Sequence, residues 1–295
     1  MFKIIPWNGY QAAVSLTFDD GDPIHLDFAI PEMQKRNIRG TFFLIASKII
    51  RQNEWEKAAA SGMEIGNHSL THKHTYELSE NGEIDEVETS AAILKELSGR
   101  PVLIFAYPFL EITEKRRTLV EKNCFLARGG GPGNYYYTPD TIADWYNIHS
   151  QMTMTDYGFE IYRDWIDNAV YAGAWTVFTI HAIEGSNWYQ PIPKDVFLQI
   201  LDYLDRNKKE IWVVPFGEAG AYFRAQQIIE NAKVIKKGKK FIVKWDKPKP
   251  FPDKVNIKLR LLKEGVVYQF NKKIEPDDKD IYNISFNAGE FVIEK

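Results

Sequence analysis

The chain has 295 residues, of which 44 % are hydrophobic and 26 % charged, proportions that exclude a disordered or collagen-like polymer. A net charge of −3 gives no basic footprint for nucleic acid, and the single cysteine, Cys124, excludes an internal disulfide and any cysteine-based zinc site. No apolar run approaches the ~20 residues that cross a bilayer, so no membrane span is expected.

The first ten residues include Lys3 and Pro6 and no long apolar stretch, so no signal peptide is read there. Strand-like runs are expected at 12–18, 40–45, 63–66, 102–106, 124–128, 145–149, 175–180 and 211–214. Helical patterns lie between most of them, at 27–36, 54–61, 84–97, 113–122, 159–172, 194–206 and 218–232. In 84–97, for instance, Ile84, Val87, Ala91, Leu94 and Leu97 fall at helical spacing. Repeated βα alternation argues a parallel sheet or a barrel, and seven or eight units favour a (β/α) barrel. Beyond residue 231 the pattern changes to short alternating runs at 240–245, 255–262, 266–271, 281–286 and 290–293, punctuated by Pro248, Pro250, Pro252 and further turn residues. This predicts a small antiparallel sandwich or sheet. Charge changes at the same place. Residues 1–231 hold 21 Lys and Arg against 31 Asp and Glu, whereas residues 232–295 hold 16 against 9. We therefore expect two units, a barrel at 1–231 and an all-β unit at 232–295. The basic end reads as a solvated Lys-rich surface or as a partner-binding patch.

Parallel barrels carry their chemistry at the C-terminal ends of their strands. After the first run stands Thr17-Phe18-Asp19-Asp20-Gly21. Adjacent carboxylates at a strand end cannot point the same way; they take different roles, or they form an Asp-rich turn capping the next helix. After the third run stands Asn67-His68-Ser69-Leu70-Thr71-His72. Two imidazoles four apart sit on one face of a helical turn and can share a metal; otherwise they are surface histidines. His74 breaks the spacing and reads as a bystander. HSLTH lacks the Glu of HExxH, so a general base must come from elsewhere, and the Asp pair is the natural source. Phe105-Ala106-Tyr107-Pro108-Phe109 follows the fourth run. His181 follows the seventh, as a structural histidine or a candidate acid.

TFDDG, HSLTH, FAYPF and a strand ending in Ile180-His181, in this order, resemble the polysaccharide deacetylase (NodB-homology) family, the family-four carbohydrate esterases, over about residues 10–225. The resemblance implies a distorted (β/α) barrel of about seven strands and a metal-assisted hydrolase removing N- or O-linked acetyl groups. The implied substrate is an acetylated glycan or amino sugar, and the implied setting is the cell envelope or the exterior. It implies Asp19 as catalytic base, Asp20, His68 and His72 as ligands of one divalent ion (zinc, with cobalt or nickel as alternatives), and His181 as catalytic acid. The Phe109 position, usually Tyr in the family, is implied to help hold the oxyanion through its backbone N–H. Two imidazoles and one carboxylate suit this chemistry, because they leave open positions on a catalytic ion.

The sequence also departs from the family. Ala106 stands where many members carry an Arg that orients the base, and Asp144-Trp145 matches only part of another family motif. Arg128, at the end of the next strand, either supplies the lost guanidinium or is a surface residue beside a Gly-rich loop. In the loop 184–193, Trp188 and Tyr189 either stack on a sugar ring or cover the barrel end. Two rival functions share the fold: hydrolysis of another non-peptide C–N bond, and non-catalytic carbohydrate binding.

Overall fold

The computed structural model describes residues 1–131 and 135–295. A short strand β1 (Phe2–Ile4) precedes the longest one, β2 (Ala12–Asp20), in which only the last residue is less than buried. Burial on both faces is the condition of an interior parallel strand, and it explains the run AAVSLTF, which has no strict apolar–polar alternation. Strands β3 (Thr41–Leu44), β4 (Glu64–Asn67), β5 (Ile104–Ala106), β6 (Leu126–Arg128), β7 (Gln151–Met152) and β8 (Trp175–Ile180) join β2 in parallel, in the order β6-β5-β4-β3-β2-β8-β7. Two short strands, β9 (Ala182–Ile183) and β10 (Pro191–Ile192), pair with each other and clamp the ends of the loop between them. Strand β11 (Ile211–Val213) pairs with β2 at Ala12–Val14, while β3 pairs with β2 at Thr17–Asp20. Two strands thus share one edge of β2 at different heights, which distorts the ring. The result is a distorted (β/α) barrel with seven parallel strands on one path.

The helices are α1 (Ile30–Lys35), α2 (Gln52–Ala60), α3 (Glu80–Ile84), α4 (Ser90–Ser98), α5 (Glu114–Asn123), α6 (Phe159–Ala172), α7 (Lys194–Arg206) and α8 (Phe216–Glu230). Among the described residues no helix is long and apolar enough to cross a membrane. Two expectations need correction. The run at 84–97 is α4 joined to α3 by a π turn at Asp85–Thr89. The wider turn shifts the phase of what precedes it, so Ile84 faces solvent and Glu83 is buried instead, accepting from Arg116 Nε at 2.8 Å. The segment 145–149, expected as a strand, is mostly a turn: Asp144 Oδ1 accepts from Tyr146 N and Asp144 O from Asn147 N, and only Ile148 bridges to Arg128. An Asx turn of this kind competes with the ladder for backbone donors.

The start of α8 is capped from the barrel. Thr41 Oγ1 accepts from Phe216 N at 2.8 Å and donates to Glu64 Oε2, which also accepts from Gly217 N at 2.8 Å. These bonds satisfy helix donors that have no partner within the helix. Burial pushes the Glu64 carboxyl up to about 7 against those bonds. The carboxylate sits so close that a Cβ on Gly217 would fall 2.3 Å from its Oε1, so only glycine fits there.

The remaining strands form antiparallel sheets: β12 (Lys233–Lys237), β13 (Lys240–Lys244), β14 (Asn256–Leu261), β15 (Val266–Gln269), β16 (Lys272–Ile274), β17 (Ile281–Ser285) and β18 (Glu290–Glu294). One sheet runs β12-β13-β18-β15-β16. The other runs β1-β14-β17, so Phe2–Ile4 lies in a sheet of the C-terminal unit although it opens the segment 1–231. One hydrophobic cluster crosses from barrel to sheets, including Trp7, Phe125 and Phe223 on one side and Ile4, Trp245, Phe251, Ile257 and Phe291 on the other. Phe125 meets Phe251 edge-on at 5.3 Å, Phe2 meets Phe291 at 5.2 Å, and Ile5 N donates to Lys258 O at 2.9 Å.

We propose that the two units fold together. Each large apolar side chain uncovered by removing the tail costs about 1.5–3 kcal/mol. A chain ending at Asn231 should therefore aggregate, or melt more than about 10 °C below the full chain in calorimetry. An unchanged melting temperature would show the barrel to be independent.

Candidate active site

At the end of β2 the backbone of Asp20 turns left-handed, with φ 70°, and Gly21 follows at φ 75°. This turn parts the adjacent carboxylates. Asp20 Oδ1 lies 3.5 Å from His68 Nε2 and 3.5 Å from His72 Nε2, while Asp19 Oδ2 lies 3.8 Å from His68 Nε2 and 3.8 Å from His181 Nε2. Asp19, Asp20, His68, His72 and His181 therefore meet at one point on the barrel mouth.

The two imidazoles are brought together by a loop and not by the helical turn the spacing suggested. Residues 68–74 contain no helix, and Ser69 and His72 have φ of 68° and 59°. The loop is held from beneath. Glu86, on the π turn, accepts from Leu70 N and Thr71 N at 2.9 Å each and from the Thr71 hydroxyl. Asn67 Oδ1 accepts from Ser69 N, and Ser69 Oγ from His72 N. The rings of His68 and His72 end 4.8 Å apart. His68 Nδ1–H donates to Ala106 O at 2.9 Å, which fixes the tautomer and leaves the Nε2 lone pair facing Asp20. Burial and the neighbouring His68 push His72 down to about 4, so its ring stands neutral.

Among the described residues, Asp20, His68 and His72 form a group with ligand atoms within 4.8 Å of one another. Asp20 Oδ1 is buried and has no hydrogen-bond partner. A carboxylate oxygen aimed at two imidazole lone pairs, with no donor between them, is an arrangement that a cation would relieve. The donor set fits a divalent ion.

Asp19 is 2 % exposed and Arg128 is 1 % exposed. Arg128 is thus no surface residue. Its Nη2 donates to Asp19 Oδ2 at 2.5 Å, its Nη1 donates to Thr17 Oγ1 at 2.9 Å, and its guanidinium lies over the Phe43 ring at 5.1 Å. Burial alone would raise the Asp19 pKa, but Arg128 and the imidazoles of His68 and His181 outweigh it and hold the carboxyl well below the usual carboxylate range. Asp19 Oδ1 stays buried and without a partner. Burial lowers the His181 pKa, opposed by Asp19. The His181 carbonyl accepts from His25 Nε2 at 2.9 Å, and His25 is kept neutral by burial.

The rim is aromatic. Trp188 Nε1 donates to Asp20 Oδ2 at 2.7 Å, Tyr189 meets the His181 ring edge-on at 5.1 Å, and Phe109 packs 4.5 Å from the His72 ring. Asp144 and Trp145 lie elsewhere: Asp144 forms a two-pronged pair with Arg117, and Trp145 packs on Phe223. Left-handed backbones gather at the mouth, at Asp20, Ser69, His72, Phe109, Leu110 and Gln190. Strained conformations of this kind persist where the surroundings over-determine them. The sequence reading missed Glu86 and His25. Both sit on π turns, at Asp85–Thr89 and His25–Ala29, where helical periodicity misassigns the inward face.

The comparisons agree with this geometry. Residues 8–125 match the family model for polysaccharide deacetylases. A peptidoglycan-N-acetylglucosamine deacetylase of Bacillus cereus is 27 % identical over 146 residues, 48 % of this chain and 49 % of that protein. A gellan lyase of a Bacillus species is 25 % identical over 236 residues, 71 % of this chain but 9 % of that protein. The chain thus spans about half, or much less, of these relatives' length. The peptidoglycan deacetylase PdaC of Bacillus subtilis shares the fold, with a TM-score of 0.52 at 19 % identity over 75 % of this chain and 95 % of its own. With TFDDG and HSLTH at the mouth of a distorted barrel, the chain is similar over residues 8–125 to the polysaccharide deacetylase (NodB-homology) family.

The ion pair generates a test. Arg128→Ala leaves the burial of Asp19 unopposed by its nearest cation. The acidic limb of the pH–rate profile should move up by about 1–3 units, kcat should fall, and metal content should stay the same. Arg128→Lys restores charge but not the forked donor pair, so recovery should be partial. A profile that overlays the parent's removes Arg128 from the site chemistry.

Proposed function

We propose that the protein is a divalent-metal-dependent hydrolase that removes acetyl groups, N- or O-linked, from an acetylated sugar or polysaccharide. The observation that carries this reading is Asp20 Oδ1, buried, unpartnered and 3.5 Å from two imidazole nitrogens, beside an ionised Asp19. Asp20, His68 and His72 would hold the ion. When bound, it supplies Lewis-acid polarisation of the acetyl carbonyl and lowers the pKa of water.

The protein's own groups do the rest. Asp19 Oδ1, which has no other partner, takes the proton of the attacking water. Arg128 occupies Oδ2, so Asp19 keeps one orientation and stays ionised. His181 Nε2 gives a proton to the departing amine or alkoxide. At 3.8 Å from Asp19 Oδ2 it is too far for a direct hydrogen bond, so solvent returns the proton from Asp19 to His181 after each turnover. Phe109 offers its backbone N–H to the carbonyl oxygen as charge develops there. Trp188 holds Asp20 from the open side, so a sugar passing the rim meets its exposed indole.

Acetate release should be measured on chitooligosaccharides, acetylated xylan and peptidoglycan fragments. A chelator should abolish it, and zinc, cobalt or nickel should restore it. Asp20→Ala and His68→Ala should lose the metal, read by elemental analysis. Asp19→Asn and His181→Ala should keep the metal and lose roughly 10²–10⁴-fold in kcat. Full activity after metal removal would defeat the reading.

A further inference from the structure

Beyond the reacting centre, the exposed aromatic surface continues outward on one side in an ordered way. Phe109 packs against His72 at 4.5 Å and an interplanar angle of 66°. His74 then stacks on Phe109 at 3.8 Å and 13°, and Tyr76 stacks on His74 at 5.0 Å and 15°. Three near-parallel rings thus lead from a proposed metal ligand to Tyr76, which is 79 % exposed. With His74 covering one face, the other face of the Tyr76 ring is open.

This stack is held by polar bonds that lie outside the group Asp19, Asp20, His68, His72 and His181. Glu111 Oε1 accepts from His74 Nδ1–H at 2.7 Å, and Glu111 Oε2 accepts from Thr75 N at 2.9 Å. Glu77 Oε2 accepts from His74 N at 2.8 Å, closing a box around the short helix Thr75–Glu77. Phe109 and Glu111 come from one loop, so that loop both faces His74 and clasps it. A scattered surface aromatic needs no explanation. A tyrosine fixed at the end of a clamped stack, one face bare and its neighbours Lys73 and Glu77 exposed and charged, is a shaped surface. It suits a ligand with a flat, ring-sized C–H face and hydroxyls at its edge, which is a pyranose.

We propose that Tyr76 is the floor of a second sugar-binding subsite, with His74 as its positioning residue. The protein then takes an oligosaccharide: one ring presents its acetyl group beside His72 while a neighbouring ring lies on Tyr76. The reaction part rests on the deacetylase reading above; the binding part rests on the stack.

Binding is measured by isothermal titration on zinc-loaded Asp19→Asn protein, which should hold substrate without turning it over. The probes are N-acetylglucosamine, its β-1,4-linked tetramer, and acetylated xylose and xylotetraose. One tetramer should bind at least roughly tenfold more tightly than its monomer. Adding Tyr76→Ala should erase that advantage, adding Tyr76→Phe should keep it, and monomer binding should not change. The same tetramer should shift the ring-proton resonances of His74. A Tyr76→Ala protein that binds the tetramer as its parent does, or a parent that binds neither tetramer, overturns the proposal. Acetate release separates the two ideas. Tetramer binding lost in Tyr76→Ala, with no acetate released by the unmutated protein, would sink the deacetylase reading and leave a glycan surface. Acetate release equally fast from tetramer in Tyr76→Ala and in the unmutated protein would sink the subsite alone.

Discussion

A carboxylate 2 % exposed to water is costly unless its charge is answered nearby, and Asp19 is answered by Arg128 at 2.5 Å. Much of the surrounding structure serves that contact. Thr17, two residues before Asp19 on β2, takes the second guanidinium nitrogen, and it donates in turn to Phe178 O on β8. Phe43 on β3 offers its ring face to the cation. Four strands of the barrel, β2, β3, β6 and β8, are thus committed to one ion pair. The pair occupies Oδ2 of Asp19 and leaves Oδ1 without a partner, so the same interaction that makes the buried charge tolerable also fixes where its free oxygen points.

Strain and support are divided between different parts of the fold. Asp20, His72 and Phe109 adopt left-handed backbones that non-glycine residues seldom take. None of them lies in the middle of a strand or long helix. Glu86 and Asn67 sit one layer down, on a π turn and at a strand end, and their bonds to residues 69–71 hold the loop that carries His72. This is why the site reads as rigid even though His68 and His72 come from a loop: a loop held by a buried carboxylate accepting three bonds has little freedom left.

Much of this was legible in the sequence because strand ends and motif order are local features. The runs at 159–172, 175–180 and 194–206 coincide with α6, β8 and α7, since strong periodicity or a bare apolar run leaves no competing reading. The convergence of Asp19, Asp20, His68, His72 and His181 followed from placing each after a parallel strand. What the sequence did not disclose arises from geometry that a fixed period cannot represent. The π turn moved Ile84 outward and Glu83 and Glu86 inward. The Asx turn at Asp144 replaced a strand. Phe2–Ile4 joined a sheet whose other members lie more than 250 residues away, at Asn256–Leu261 and Ile281–Ser285, and no local pattern encodes such a pairing. His74 looked idle because the test applied to it was metal-ligand spacing, whereas its contacts are stacking and a carboxylate clasp.

We propose that Arg128 stands in for the arginine that the family pattern places at 106, on a simple physical basis in the register of the sheet. Ala106 on β5 and Arg128 on β6 are paired residues of a parallel ladder, so their side chains leave the sheet on the same face. Moving a guanidinium from one to the other shifts its root sideways by one strand spacing, about 4.8 Å. The long, flexible arginine side chain can absorb such a shift and bring its planar fork back to the same carboxylate. The converse constraint applies to the position left behind. Ala106 contributes its carbonyl to His68 Nδ1, a bond any residue could make, but a second cation there would repel Arg128 across the ladder. A small neutral side chain at 106 is what an arginine at 128 requires. On this proposal the departure from the family pattern at one position and the buried arginine at the next strand are one change, compensated within the ladder, and Asp19 stays beside Asp20, His68 and His72.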